Sequence, residues 1–194
     1  MLYKILKVLA FFVMRVFFNM RVSGRNNIPK KGGFIIASNH RSFLDPIALG
    51  VACSRRLNFM ARHDLFRNRI FARFISLLGA FPLKRNSADL WALKEAMRRL
   101  KKGGGLLLFP EGTRGLSNVS LKSHPGVGFL ASKVGVPIVP AFISGTDTAL
   151  PKGAKFIRPA RVYVRFGKQI CVERRMPYQD IAQLIMNNIR LLAC

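Results

Sequence analysis

The chain has 194 residues, half of them hydrophobic, which is enough for one domain with a real core. Thirty-three Lys and Arg stand against eight Asp and Glu, a net charge of +25 that favours anionic partners. A ribosomal or DNA-binding protein of this charge would be more polar than a mean hydropathy of +0.20, so the composition leans toward a membrane surface. Three scattered cysteines, Cys53, Cys171 and Cys194, show no CxxC spacing. They indicate neither a disulfide framework nor a zinc site, and they fit a reducing, cytosol-facing environment.

The first segment, residues 1–22, is apolar except for Lys4, Lys7, Arg15, Asn19 and Arg21. At helical spacing these five fall within an arc of roughly 160°, leaving a wide face of Leu, Val, Phe and Met. That pattern predicts an amphipathic helix lying in a bilayer interface, its cations at phosphate depth. The uninterrupted apolar run 8–14 is too short to span, since a span needs about 20 such residues. A signal peptide fits poorly because Arg15 breaks the apolar core and no small-x-small site follows. A helix packed on the protein's own core is the remaining alternative.

A polar link, SGRNNIPKKGG, leads into alternating short apolar runs and longer amphipathic segments. Strands are predicted at 34–37, 57–61, 80–83, 106–109, 138–143 and 161–166, and helices at 46–53, 65–78, 88–101, 127–134 and 178–192. Ser87 is the predicted N-cap of the helix ADLWALKEAMRRLKK, whose cations crowd its C-terminal half. RVYVRFG alternates with period two and predicts one solvated face, whereas GLLLF and PIVPAFI read as strands buried on both faces. Alternation of strand and helix predicts an α/β fold, a mixed, largely parallel sheet flanked by helices.

Ligands of such sheets bind beyond the carboxyl ends of the strands. The first predicted strand ends at NHRSFLD, with His40 and Asp45; the third ends at Lys84 and Arg85; the fourth runs into PEGTRG, with Glu111, Gly112, Thr113 and Arg114. Parallel strands would bring all of these to one edge. A histidine near neutrality can take a proton at one nitrogen while the other donates to a carboxylate that fixes the tautomer. Ser38 and Ser42 are close by, but neither sits in a G-x-S-x-G elbow, so the activated hydroxyl is expected to come from a substrate. Lys84, Arg85 and Arg114, with backbone donors near Gly112 and Thr113, suit a phosphate. The plainer reading is that Asp45, before Pro46, only caps a helix.

Together NHRSFLD, GAFPLKR, FPEGTRG and VPIVPA, in this order and spacing, resemble the four blocks of the PlsC-type glycerolipid acyltransferases, the family of the lysophosphatidic acid acyltransferases. The resemblance covers roughly residues 30–145. It implies that His40 is the general base with Asp45 orienting it, that Arg85, Glu111, Gly112 and Arg114 help bind the glycerol phosphate, and that Pro140 lies in a block shaping the site. The family's two-helix N-terminal membrane motif fits the amphipathic start, and the chain is read as an interfacial helix at 1–22 followed by an acyltransferase domain at 23–194. No covalent intermediate, metal or cofactor is implied; an acyl-CoA or acyl carrier protein thioester is the co-substrate. The expected acceptor is 1-acylglycerol 3-phosphate, with another lysophospholipid or a lyso-aminolipid as the rival.

The expected location is the cytoplasmic face of a bacterial cell membrane, monotopic or peripheral. The basic segments RRLNFMARH, FRNRIFARF and MRRLKK would press the cleft against anionic lipid or dock an acidic carrier protein. His63 and His124 have no role in these blocks. A nucleic-acid-binding protein is the rival of a different class, but no recognition helix or aromatic-bearing polar sheet is visible and no nucleic-acid partner is expected. Within the family pattern, Gly115 stands where serine is common and Pro82 where Phe is frequent.

Overall fold

The computed structural model describes residues 2–84, 89–112, 125–151, 153–154, 156–173 and 175–193. Helix α1 (Leu2–Val16) is followed by strands β1 (Arg21–Ser23) and β2 (Phe34–Ser38), helix α2 (Asp45–Ala52), β3 (Leu57–Arg62), α3 (Arg69–Leu77) and β4 (Ala80–Leu83). Then come α4 (Leu90–Lys101), β5 (Gly105–Leu108), α5 (Pro125–Val134), β6 (Ile138–Ser144), α6 (Thr146–Ala149), β7 (Tyr163–Phe166) and α7 (Tyr178–Leu191). The seven strands form one sheet in the order β1-β7-β6-β2-β5-β3-β4. Strands β2 to β6 all run parallel, β7 runs antiparallel to β6, and β1 lies parallel to β7. The sheet is therefore mixed and largely parallel, as the alternation of segments predicts.

Period two divides the central strand between two cores. Phe34 and Ile36 of β2 face a layer with Met14, Phe18, Leu49 and Val139, while Ile35 and Ala37 face one with Ala92, Ala96, Leu130 and Ile185. Strand β5 is buried throughout, and β7 alternates buried Val164 and Phe166 with exposed Arg165, both as expected from their sequence patterns. Pro82 lies on β4, an edge strand, where a missing N–H is tolerated. Pro140 sits inside the sheet, on β6. Pairing of β6 with β7 begins one residue later, at Ala141, and the Pro140 carbonyl accepts from Gly167 N–H at 2.8 Å.

Several boundaries differ from the sequence expectation for local reasons. The N-terminal helix stops at Val16 rather than near residue 22, because Asn19 turns the chain at φ 39° and buries Phe18 and Met20. Residues 21–23 then join the sheet as an edge strand too short to show a pattern. The helix expected over 65–78 starts only at Arg69, where the Asn68 side chain accepts from Phe71 N–H at 3.0 Å; His63–Phe66 before it is a 3-10 turn, with His63 exposed. The cap of α4 is Asp89, accepting from Ala92 N–H at 3.0 Å. Ser87, the expected cap, lies outside the described residues, as does His124.

On α4, Glu95 takes two hydrogen bonds from Arg98, at 2.7 and 2.6 Å, and one from Arg99 at 2.7 Å. The Arg98 guanidinium first, and Arg99 with it, hold the Glu95 carboxyl down at about 2. Arg99 continues to Asn58 Oδ1 at 2.7 Å and the Gly79 carbonyl at 2.9 Å, over the ring of Phe81, and so fastens α4 to β3 and β4.

Helix α1 packs on α2 by a narrow stripe: Met14 is buried, Ala10 is half-buried, and Lys7 Nζ donates to the Cys53 carbonyl at 2.6 Å. Its other side leaves Ile5, Val8, Leu9, Phe12, Val13 and Val16 exposed. No described helix is long and apolar enough to cross a membrane. Cys53 itself is buried, and that burial pushes its thiol up, which makes it a core residue rather than a nucleophile.

Candidate active site

Strand β2 ends at the carboxyl edge of the sheet and hands the chain to Asn39 and His40. The Asn39 side chain docks on β6 as a peptide group would: its Nδ2 donates to the Ile143 carbonyl and its Oδ1 accepts from Ile143 N–H, both at 2.8 Å. This pair fixes where His40 leaves the sheet. Five residues on, Asp45 opens α2 with Pro46 behind it, a residue that starts helices without losing a hydrogen bond.

His40 Nδ1 lies 2.8 Å from Asp45 Oδ2, with the His40 side chain 15% exposed and that of Asp45 fully buried. Oδ2 also accepts from the backbone N–H groups of Arg41 at 2.6 Å and Ser42 at 2.8 Å. Oδ1 accepts from the hydroxyl of Thr146. Among the described residues the other partners of this carboxylate are donors, so Asp45 is set as acceptor and His40 Nδ1 as its donor. The lone pair of the imidazole is then on Nε2. Phe109, just past β5, stacks on the ring with centroids 4.0 Å apart and planes 17° apart.

The two neighbouring serines are engaged elsewhere. Ser42 Oγ donates to the Leu150 carbonyl at 3.0 Å and accepts from Leu44 N–H at 3.3 Å, while the buried Ser38 hydroxyl lies 3.4 Å from Asn39 Oδ1. Neither is set against the imidazole. A histidine backed by a carboxylate, with neither neighbouring serine set against it, can deprotonate a hydroxyl brought by a ligand.

Glu111 and Gly112 follow Phe109 in a turn closed by Gly112 N–H on the Phe109 carbonyl at 3.0 Å, with Gly112 at φ 65°. They lie beyond the end of β5, the neighbour of β2. Lys84 directly follows β4 at the same edge, three strand spacings or about 14 Å from β2. Its backbone N–H donates to Asp89 Oδ2 at 2.8 Å and its side chain is exposed. Arg85, Thr113 and Arg114 lie outside the described residues. No cluster of three or more His, Cys, Asp or Glu suited to a metal ion occurs among the described residues.

Sequence reasoning misses Thr146, Asn39 and Phe109. Thr146 arrives from 101 residues away, and only the topology that sets β6 beside β2 brings it under Asp45. It is delivered by a turn at Gly145, which has φ 84° and so close an approach that a Cβ would meet the Arg161 carbonyl oxygen at 1.9 Å. A glycine between an apolar strand and a threonine is the one signal that the sequence carried.

A family model described as Acyltransferase matches residues 19–144. The chain is 32% identical over 130 residues to 1-acyl-sn-glycerol-3-phosphate acyltransferase of Bacillus subtilis (strain 168), covering 66% of this chain and 64% of that protein. It is 32% identical over 155 residues to the protein of the same name from Streptococcus pneumoniae (strain ATCC BAA-255 / R6), 78% of this chain and 56% of that one. It is also 32% identical over 144 residues to a chloroplastic 1-acyl-sn-glycerol-3-phosphate acyltransferase, LPAT1, of Arabidopsis thaliana, 73% of this chain and 40% of that one. The chain thus spans less than two thirds of the length of these relatives. The crystal structure of the 1-acyl-sn-glycerophosphate (LPA) acyltransferase PlsC from Thermotoga maritima superposes with a TM-score of 0.78 at 26% identity, over 99% of this chain and 81% of that one.

Proposed function

This chain belongs to the acyltransferase family, and we propose that it transfers a fatty acyl group from a thioester to the sn-2 hydroxyl of 1-acylglycerol 3-phosphate, forming phosphatidic acid. The observation that carries this reading is the His40–Asp45 pair, in which the carboxylate holds Nδ1 while both local serine hydroxyls are engaged elsewhere. The names of the relatives supply the acceptor.

In this reaction His40 Nε2 takes the proton of the acceptor hydroxyl as its oxygen attacks the thioester carbonyl. The tetrahedral intermediate collapses, the carbon–sulfur bond breaks, and the imidazolium returns its proton to the departing thiolate. Asp45 holds the ring and stabilises the imidazolium. Glu111 and Gly112, one strand from His40, lie where the acceptor passes. Lys84, with Arg85, Thr113 and Arg114, supplies charge and donors for its phosphate.

The donor is an acyl-CoA or an acyl carrier protein thioester, acting as co-substrate without a metal or other cofactor. The bare apolar side of α1 supports a peripheral or monotopic seat on a membrane, and on this reading that seat is the cytoplasmic face of a bacterial cell. Mass spectrometry of lipids after incubation with lysophosphatidic acid and each donor tests the assignment. Phosphatidic acid from either donor is expected, with far less product from an acceptor that lacks the phosphate. Equal use of phosphate-free acceptors would point to a different lysolipid.

A further inference from the structure

Helix α3, Arg69–Leu77, buries none of its residues. Only Ala72 and Ile75 are half-covered by the body, while Ile70 is 84% exposed and Phe71, Phe74 and Leu77 each more than 40% exposed. Positions 70, 71, 74 and 77 fall in a helical arc of about 120°, flanked by Arg69 and Arg73. A helix of nine residues is marginal in water by its own hydrogen bonds, since isolated helices under about 12–15 residues do not hold. An apolar stripe of this kind is stabilised when something covers it.

The occupant follows from charge and from the neighbouring helix. From residue 65 to residue 88 the sequence has no acid, while Arg67, Arg69, Arg73, Lys84 and Arg85 are present. The crossovers β2-α2-β3 and β3-α3-β4 step the same way through parallel strands, so right-handed connections put α2 and α3 on one side of the sheet. Helix α1 packs on α2. Arg56 ties the ends together: its guanidinium lies 4.6 Å from the Tyr3 ring of α1 and donates to the Leu77 carbonyl of α3 at 2.7 Å.

We propose that α3 is a second membrane-contacting element, which lays Ile70, Phe71, Phe74 and Leu77 into the interface of a bilayer carrying anionic lipid, on the same side as the bare face of α1. Two contacts on one side fix the tilt of the domain, where a single helix would leave it free to roll. The lipid-facing arc is apolar and its flank cationic, the arrangement that interfacial helices use. This inference rests on the membrane location proposed above, while the residues involved stand apart from the His40 chemistry.

Sedimentation with vesicles of phosphatidylcholine and phosphatidylglycerol tests it, comparing the full chain with Phe71→Glu/Phe74→Glu and with Arg69→Gln/Arg73→Gln. Circular dichroism and thermal unfolding check the fold, and turnover on detergent-dispersed lysophosphatidic acid is read in parallel. The glutamate variant is expected to lose at least tenfold in vesicle partition. The glutamine variant is expected to lose about fivefold per cation on anionic vesicles alone. Both should retain detergent-phase turnover. Unchanged partition overturns the proposal, including the case in which the stripe instead pairs two copies of the chain and the variants only convert a dimer to a monomer. Failure of every form to bind vesicles, with detergent-phase turnover intact, overturns the membrane location and leaves the chemistry standing.

Discussion

Thr146 and Asp45, 101 residues apart in sequence, meet as a buried hydroxyl and the carboxylate oxygen left over by the His40 pair. Backbone N–H groups already fix Oδ2, but a carboxylate anchored at one oxygen can still turn about that contact. The Thr146 hydroxyl anchors the second oxygen and so sets the plane into which His40 donates. Thr146→Val is expected to lower kcat by about tenfold or more with KM within about threefold, as misorientation of a catalytic group does. It should also cost about 1–3 kcal/mol in urea unfolding, since a buried acceptor loses its donor. Thr146→Ser should restore both. A KM effect without a kcat effect would place Thr146 in acceptor binding instead.

Phe109 covers one face of the His40 ring at 4.0 Å. Aromatic pairs of this kind contribute about 0.5–1.5 kcal/mol. Phe109→Ala should therefore lower kcat/KM by about twofold to tenfold through a looser imidazole, and Phe109→Tyr should leave it near wild type. Steady-state kinetics on the two variants decide this.

Gly145 accepts no side chain, because its φ is 84° and a Cβ would strike the Arg161 carbonyl. Gly145→Ala is expected to destabilise the domain by more than about 1 kcal/mol. It should also lower kcat, because the same turn delivers Thr146. Thermal unfolding and turnover measured together check the link; a stable, fully active variant would break it.

Glu95 titrates at about 2 in the fold against an ordinary value of 4.5, held down by Arg98 and then Arg99. A depressed carboxyl adds stability above the unfolded value and loses it as pH falls through the folded one. Between pH 4.5 and 2, urea-unfolding stability should fall less steeply in Glu95→Gln than in wild type. Parallel slopes would remove this pair from the acid response.

Much of the architecture is legible in the sequence because its strands are buried on both faces. FIIAS, GLLL and IVPAF are short apolar runs bounded by turn residues, the pattern of strands buried on both faces, and interior parallel strands bring their carboxyl ends to one edge. His40 and Asp45 are legible for the same reason, being local to one strand end. Thr146 and the Arg56 link are not, since each depends on a contact that only tertiary structure creates. Residues 21–23 are too few for periodicity to register. The pattern of the α1 segment does not choose between core and interface, because one helix carries both a packed stripe, through Met14 and Lys7, and a bare apolar side.

The central claim is that His40 is the base for an incoming hydroxyl. The most direct measurement is acyl transfer to lysophosphatidic acid by wild type and His40→Ala, at saturating donor and with folding verified for both. Loss of the base should reduce kcat by about 10²- to 10⁴-fold while lysophosphatidic acid still binds with similar affinity. Equal rates from the two proteins would contradict the account and move the chemistry away from the end of β2.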